Sequence, residues 1–141
     1  KHPELQFVYP VHLSPAVRSV VFPLLDNKPG IILTDPVDVA DMHNLISKAF
    51  FIMTDSGGIQ EEAPSFNKPV LVLRTETERP EAVAAGTVKV IGTDTDRIIR
   101  EAEILLNNPA EYAKMAGAKN PYGDGHASDY IVSAIKKTFN I

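Results

Sequence analysis

Residues 54–62, with the sequence TDSGGIQEE, combine residue types that can bind an anion. An apolar run at residues 50–53 precedes them, and a helix-compatible segment follows. A strand that ends in a short Ser/Gly turn opening a helix leaves backbone N–H groups unpaired at the positive end of the helix dipole, where phosphate binds well. Ser56, Gly57 and Gly58 would supply those N–H groups.

An ordinary turn between strand and helix explains the same three residues. It would use glycine for its freedom at positive φ and serine as the N-cap. The spacing matches neither the P-loop, which ends in Gly-Lys-Ser/Thr, nor the dinucleotide pattern G-x-G-x-x-G. The turn alone therefore leaves both interpretations open.

Two glutamates follow the turn. Glu62 lies about one helical turn after Gly58, where a carboxylate can accept hydrogen bonds from both hydroxyls of a ribose whose diphosphate sits at the helix start. The geometry allows Glu61 or Glu62 to do this, but not both. Alternatively, both glutamates complement the helix dipole in solvent.

Arg79 lies in the charged loop after the fourth apolar run and could bind a diphosphate through two parallel hydrogen bonds. The alternative is a surface arginine paired with a neighbouring glutamate, namely Glu76, Glu78 or Glu81, in an ion pair that contributes little.

His12 ends an apolar run and could donate to an anion, although a single histidine there is more often structural. His43 is interpreted as structural too. No pair of a histidine and an acidic residue has the spacing of zinc ligands, so the sequence predicts no metal site.

Composition limits the classes of function. The chain has 141 residues, of which 44% are hydrophobic and 23% charged, as expected for one globular domain. Its formal charge of -4 argues against a surface that coats nucleic acid. There are no cysteines, no apolar run long enough to cross a bilayer, and no signal-peptide pattern, so we expect a soluble, cytoplasmic protein. The start at Lys1, without Met, suggests a fragment.

Apolar runs alternate with helical patterns along the chain. The predicted strands are residues 5–9, 31–33, 50–53, 70–73 and 88–91. Two predicted helices have both bounds, residues 15–25 and 59–66, and a short helical piece runs up to Gly86. Three more are predicted from their first residues: Asp38 caps one, Thr93 caps another, and the third begins at Asn108-Pro109. In the last predicted helix, which is amphipathic, the packed residues are Ile131, Ala134, Ile135 and Phe139.

This alternation predicts a Rossmann-like α/β fold, with a parallel sheet and helices on both faces. In such sheets ligands bind beyond the carboxyl ends of the strands. The predicted elements place His12, Asp35, Ser56 and Arg74 at those ends.

Several segments together resemble one enzyme family. They are YPVHLSP at residues 9–15, TDSGGIQEEAPS at 54–65, TERPEA at 77–82, AGT at 85–87 and NPYGDG at 120–125. In this order they resemble the C-terminal half of bacterial non-hydrolysing UDP-N-acetylglucosamine 2-epimerases, and the resemblance spans nearly the whole chain.

The resemblance implies a glycosyltransferase-B-like enzyme (UDP-glycosyltransferase/glycogen phosphorylase type) with its active site between two Rossmann-like domains. Such an enzyme interconverts UDP-GlcNAc and UDP-ManNAc for cell-surface polysaccharide precursors, by eliminating UDP and adding it back. It needs no cofactor and is usually a homodimer. Residues 1–141 would form a single UDP-binding domain, and the partner N-terminal domain would carry the proton-transferring residues, so no catalytic residue is expected in this chain.

The same resemblance assigns roles to individual residues. Ser56, Gly57 and Gly58 would hold the diphosphate, Glu62 the ribose, and Arg79 the phosphate region.

Three further residues receive roles in the same way. Val37 and Met42 would line the uridine, where the family often has Gln and Phe respectively. His12 resembles a family histidine near a second, regulatory UDP-GlcNAc site found in some members.

The resemblance also implies that a first strand, central in the sheet, belongs upstream of Lys1. Either other polypeptide supplies that strand or the remaining strands close up. Alternative functions are a nucleotide-sugar-binding module without chemistry, the nucleotide-sugar-binding domain of a glycosyltransferase, and a hydrolysing epimerase that releases UDP.

Overall fold

Short parallel strands alternate with helices along residues 2–140, the part of the chain that this computed structural model describes. The chain divides into two units, Lys1–Leu45 and Ile46–Ile141, called here the N-terminal and C-terminal units. Whether the whole chain acts as one UDP-binding domain stays a prediction.

The N-terminal unit is built on a two-stranded parallel sheet. Strand β1 (Phe7–Pro10) leads into helix α1 (Pro15–Leu25), strand β2 (Ile31–Thr34) and the start of helix α2 (Val39–Lys48). Phe7 pairs with Ile31, and Pro10 with Thr34. Helix α1 begins at the predicted residue because proline fixes the backbone dihedral that a first helical position needs.

The C-terminal unit contains a three-stranded parallel sheet in the order β3-β4-β5. Its elements are β3 (Ile52–Thr54), α3 (Gly57–Glu62), a 3₁₀ helix (Ala63–Phe66), β4 (Val70–Val72), α4 (Pro80–Ala85), β5 (Val88–Val90), α5 (Thr95–Asn107), α6 (Pro109–Ala116) and α7 (Ala127–Phe139).

The central strand β4 is the core of the C-terminal unit, and all three of its residues are fully buried. Leu71 packs with Ile91 and with Leu105 of α5. Because side chains alternate along a strand, Val70 and Val72 point to the opposite face, which is covered as well. Helices on both faces of a parallel sheet confirm the predicted α/β class.

The strands of residues 2–140 form two sheets, whereas the alternating pattern predicted one. Strand β1 has β2 as its partner, and β3 lies at the edge of its own sheet. The remaining strands therefore do not close up into one sheet. This corrects the prediction of a single sheet.

Two details of the helices also differ from the predictions. Helix α5 is capped by Asp94 rather than Thr93, since the Asp94 side chain accepts a hydrogen bond from the Arg97 N–H at 2.9 Å. The predicted packing of the last helix is wrong: α7 has no buried residue, and Ile131 and Phe139 are 59% and 69% exposed. The apolar residues of α7 recur at helical spacing as predicted, but little of the chain within residues 2–140 packs against them.

None of the described helices is both long enough and apolar enough to span a membrane.

Candidate functional site

The turn after β3 carries exposed residues at Asp55, Ser56 and Gly58. Strand β3 ends at Thr54, and α3 begins at Gly57 with Ser56 in the N-cap position. The Ser56 N–H donates to Thr54 Oγ1 at 3.0 Å, while the Ser56 side chain makes no capping hydrogen bond. This corrects the expectation that the Ser56 N–H is unpaired, and the exposed Ser56 side chain does not cap the helix either.

The glycines of the turn are not needed for positive φ. Neither Gly57 nor Gly58 is among the positive-φ glycines of the described chain. A Cβ atom at Gly57 would instead lie 2.6 Å from Glu78 Oε1 and 3.6 Å from Arg79 Nη2. A Cβ at Gly57 would thus collide with the end of the exposed Glu78 side chain and would lie in ordinary contact with Arg79.

Glu78 is held at this position by Arg74, whose Nη1 donates to Glu78 Oε2 at 2.6 Å. A backbone N–H hydrogen bond lowers the pKa of Glu78, and the neighbouring Arg74 and Arg79 lower it further. The carboxylate at the turn is accordingly charged at neutral pH.

We expect Gly57→Ala to displace the Glu78 carboxylate with little loss of stability. The blocking atom is the end of an exposed side chain, so the free energy of unfolding should change by no more than about 0.5 kcal/mol. Urea denaturation of Gly57→Ala and of Gly57→Ala/Glu78→Ala measures this. A loss above about 2 kcal/mol in both variants would show that the glycine is needed for another reason.

Arg79 reaches the same turn from the loop before α4. Its Nε donates to Glu61 Oε1, its Nη1 donates to the carbonyl of Glu78 at 3.2 Å, and its Nη2 is the atom near Gly57. The hydrogen bond to Glu61 raises the pKa of Arg79. The ion pair considered from the sequence is present, but its hydrogen-bonded partner is Glu61 of α3, while Glu78 acts on Arg79 electrostatically.

This contact separates the roles of the two glutamates on α3. Glu61 faces Arg79, whereas Glu62 is exposed, with Oε1 3.9 Å from the position of a Cβ at Gly58. Of the two, Glu62 is the one whose carboxylate lies near Gly58.

Gln60 is a residue that the sequence reasoning missed. It is fully buried, its Nε2 donates to the Ser56 carbonyl at 3.2 Å, and its Oε1 accepts from Thr77 Oγ1 at 2.5 Å. Thr77 Oγ1 in turn accepts the Arg79 N–H at 3.1 Å. The sequence gives no clear signal for this residue, because Gln60 stands directly before Glu61 and Glu62 and resembles another exposed polar residue of the helix.

The NPYGDG loop lies beside the same group of charges. Asn120 Nδ2 donates to Ser65 Oγ at 2.8 Å, which fixes the loop to the 3₁₀ helix. Burial raises the pKa of Tyr122, and the Glu81 carboxylate adds to that effect. Arg79 and Glu61 also act on Tyr122 electrostatically, so this motif and the Arg79 loop meet within the C-terminal unit.

The other predicted residues belong to the N-terminal unit. His12 is exposed, and its Nδ1 accepts the Ser14 N–H at 3.0 Å just before α1. Val37 and Met42 are half-buried, the first before α2 and the second in its first turn. Asp35 pairs with Arg18. The regulatory role of His12 and the uridine-lining roles of Val37 and Met42 stay predictions.

Comparison with known proteins identifies relatives of the whole chain. The family model described as UDP-N-acetylglucosamine 2-epimerase matches residues 1–136. The UDP-N-acetylglucosamine 2-epimerase of Bacillus subtilis is 53% identical over 132 residues, which are 94% of this chain and 35% of the relative. Its counterpart in Escherichia coli K12 is 53% identical over 135 residues, which are 96% of this chain and 36% of the relative.

Solved structures give the same match. An S. aureus protein solved with UDP superposes with a TM-score of 0.89 at 54% identity, over 96% of this chain and 37% of that one. The UDP-GlcNAc 2-epimerase of Neisseria meningitidis, solved with UDP-GlcNAc, superposes with a TM-score of 0.86 at 50% identity, over 96% of this chain and 37% of that one.

The fold is thus that of a glycosyltransferase-B-like class of α/β protein. Within that class the chain belongs to the UDP-N-acetylglucosamine 2-epimerase family. It spans about 36% of the length of the curated relatives that it matches.

Proposed function

We propose that this chain is the UDP-binding part of an enzyme that interconverts UDP-GlcNAc and UDP-ManNAc. The observation that carries the proposal is the convergence of the Arg79 guanidinium, the Ser56–Gly58 turn and the Glu62 carboxylate at one exposed place in the C-terminal unit. Membership of the epimerase family supports UDP as the ligand, since relatives have been solved with UDP and with UDP-GlcNAc.

In this proposal the diphosphate lies against Ser56, Gly57 and Gly58, and it displaces the exposed Glu78 carboxylate from Gly57. Nη2 of Arg79 binds it from the side, because Glu61 engages Nε and the Glu78 carbonyl engages Nη1, which leaves Nη2 beside the turn. Glu62 accepts hydrogen bonds from the ribose hydroxyls.

The chemistry follows from where negative charge develops. When the bond between the sugar and UDP breaks, the departing diphosphate gains negative charge, and donors fixed in advance stabilise it most effectively. The same donors retain UDP so that it can add back to the sugar intermediate. This chain would therefore hold the leaving group, while an N-terminal domain supplies proton transfer.

The remaining parts of the proposal concern the complete enzyme. Val37 and Met42 line the uridine, His12 belongs to a regulatory UDP-GlcNAc site, and no metal or other cofactor takes part. The enzyme is a cytoplasmic homodimer that serves cell-surface polysaccharide synthesis. These assignments rest on the family resemblance.

Titration of the chain with UDP by isothermal calorimetry tests the proposal. Glu62→Ala should weaken binding by about 1 to 3 kcal/mol, because it removes a charged hydrogen-bond acceptor of the ribose. Glu76→Ala is the matched control, since Glu76 is an exposed glutamate in a nearby loop. A wild-type chain that does not bind UDP, or equal affinities for both variants, would contradict the assignment.

A further inference from the structure

We infer that Gln60 and Thr77 are positioning residues, which fix Arg79 relative to the turn that holds the nucleotide diphosphate. The inference rests on the proposed function for the ligand, and it assigns to the site two residues that do not themselves touch the ligand. Its basis is a chain of hydrogen bonds that begins at Ser56 and ends at Arg79.

The first link joins α3 to the turn. The Gln60 side chain is fully buried, and its Nε2 donates to the Ser56 carbonyl at 3.2 Å. The Gln60 backbone N–H approaches the same carbonyl at 3.4 Å. Two donors of one residue thus converge on Ser56, directly before the glycines of the turn.

The second link joins α3 to the arginine loop. Gln60 Oε1 accepts from Thr77 Oγ1 at 2.5 Å, and that hydroxyl also accepts the Arg79 N–H at 3.1 Å. The Thr77 hydroxyl therefore uses its proton toward α3 and a lone pair toward Arg79. Rotation of the hydroxyl away from either partner would leave a part-buried polar group without its hydrogen bond.

The arrangement is more specific than packing requires. An apolar side chain could fill the space of Gln60 without any requirement on the loop, whereas the amide satisfies both of its ends only when Ser56 and Thr77 occupy these positions. The ion pair of Glu61 with Arg79 then orients the end of the guanidinium, with both of its side chains partly exposed. Gln60 and Thr77 set the backbone position of Arg79, and Glu61 sets the direction of its side chain.

The test compares two substitutions at Thr77. Thr77→Val removes the hydroxyl at nearly constant volume, and Thr77→Ser keeps it. We expect Thr77→Val to weaken UDP binding about tenfold and Thr77→Ser to change it less than about threefold, since only the valine loses the two hydrogen bonds. Thr75→Val is the matched control, because Thr75 is exposed in the same loop. Should Thr77→Val fail to fold, Thr77→Ala removes the same hydroxyl without adding a methyl group.

A second measurement separates positioning from general destabilisation. In an Arg79→Ala background, Thr77→Val should cause no further loss of UDP affinity, because the arginine that it positions is gone. An equal loss in both backgrounds, or wild-type affinity in Thr77→Val, would overturn the inference.

A third measurement uses NMR without nucleotide and records the Arg79 Nε–Hε signal of the same Thr77 variants. That signal should shift in Thr77→Val and stay in place in Thr77→Ser. An unshifted signal would overturn the inference even if UDP bound. If the signal shifts but the protein does not bind UDP, the positioning of Arg79 by Thr77 is supported. Only the proposed function is then contradicted.

Discussion

Replacing Arg79 with alanine should weaken UDP binding by about 1 to 3 kcal/mol, the range for a hydrogen bond to a charged group. The guanidinium is anchored by Glu61 at Nε, and its Nη2 lies beside Gly57. Because the arginine is already oriented, binding to a diphosphate would cost little additional side-chain entropy. Calorimetric titration with UDP measures the change.

Two further variants define the cause of that loss. Arg79→Lys keeps the charge without the planar fork, so it should recover only part of the affinity. Arg100→Ala removes an exposed positive charge from α5 and should leave binding unchanged, which controls for a general loss of attraction to the nucleotide. Equal affinities of Arg79→Ala and Arg100→Ala would assign Arg79 to the surface ion pair alone.

Leu71→Ala should reduce the free energy of unfolding by about 2 to 5 kcal/mol, as large-to-small substitutions in a packed core do. Leu71 lies in the central strand of the C-terminal unit, is fully buried, and packs with Ile91 and Leu105. The alanine would leave a cavity, and the strand and helix that surround Leu71 keep that cavity from collapsing easily. Urea denaturation followed by circular dichroism measures the loss.

The same substitution at Leu24 is the control for Leu71→Ala. Leu24 lies in α1 and is 62% exposed, so its replacement should cost less than about 0.5 kcal/mol. Similar losses at both positions would mean that β4 is not the core of a cooperatively folded unit.

Local rules predicted most helices and strands well. Helix α1 begins and ends where predicted, at Pro15 and Leu25, because proline and the apolar spacing define it. The short strands were located to within a few residues. The start of α5 was wrong because Thr93 and Asp94 are both good caps, and local sequence does not decide between them.

Relations between distant segments were harder to predict. Apolar periodicity predicted a packed face on α7 that is exposed in the structure, since periodicity reports a preference for burial and does not supply a partner. The two separate sheets likewise depend on which strands pair, and the pattern of a single strand does not contain that information.

The candidate site likewise combines residues that the local sequence identified with distant contacts that it did not. The turn residues and Arg79 were found from local motifs and a family resemblance, and their roles stay predictions. The contacts of Gln60 with Thr77, and of Arg79 with Glu61, join residues 17 and 18 positions apart. A buried glutamine looks like any polar residue in a sequence, so its role became visible only with the fold.

The most direct test joins this chain to the N-terminal part that its longer relatives contain. The N-terminal part of the Bacillus subtilis relative, which is 53% identical in the matched region, is fused ahead of Lys1. Conversion of UDP-GlcNAc is then followed by NMR for the fusion and for the 141-residue chain alone. We predict that the fusion forms UDP-ManNAc and that the chain alone forms none. Conversion by the chain alone, release of free ManNAc, or a folded fusion that binds UDP-GlcNAc without converting it would contradict the account.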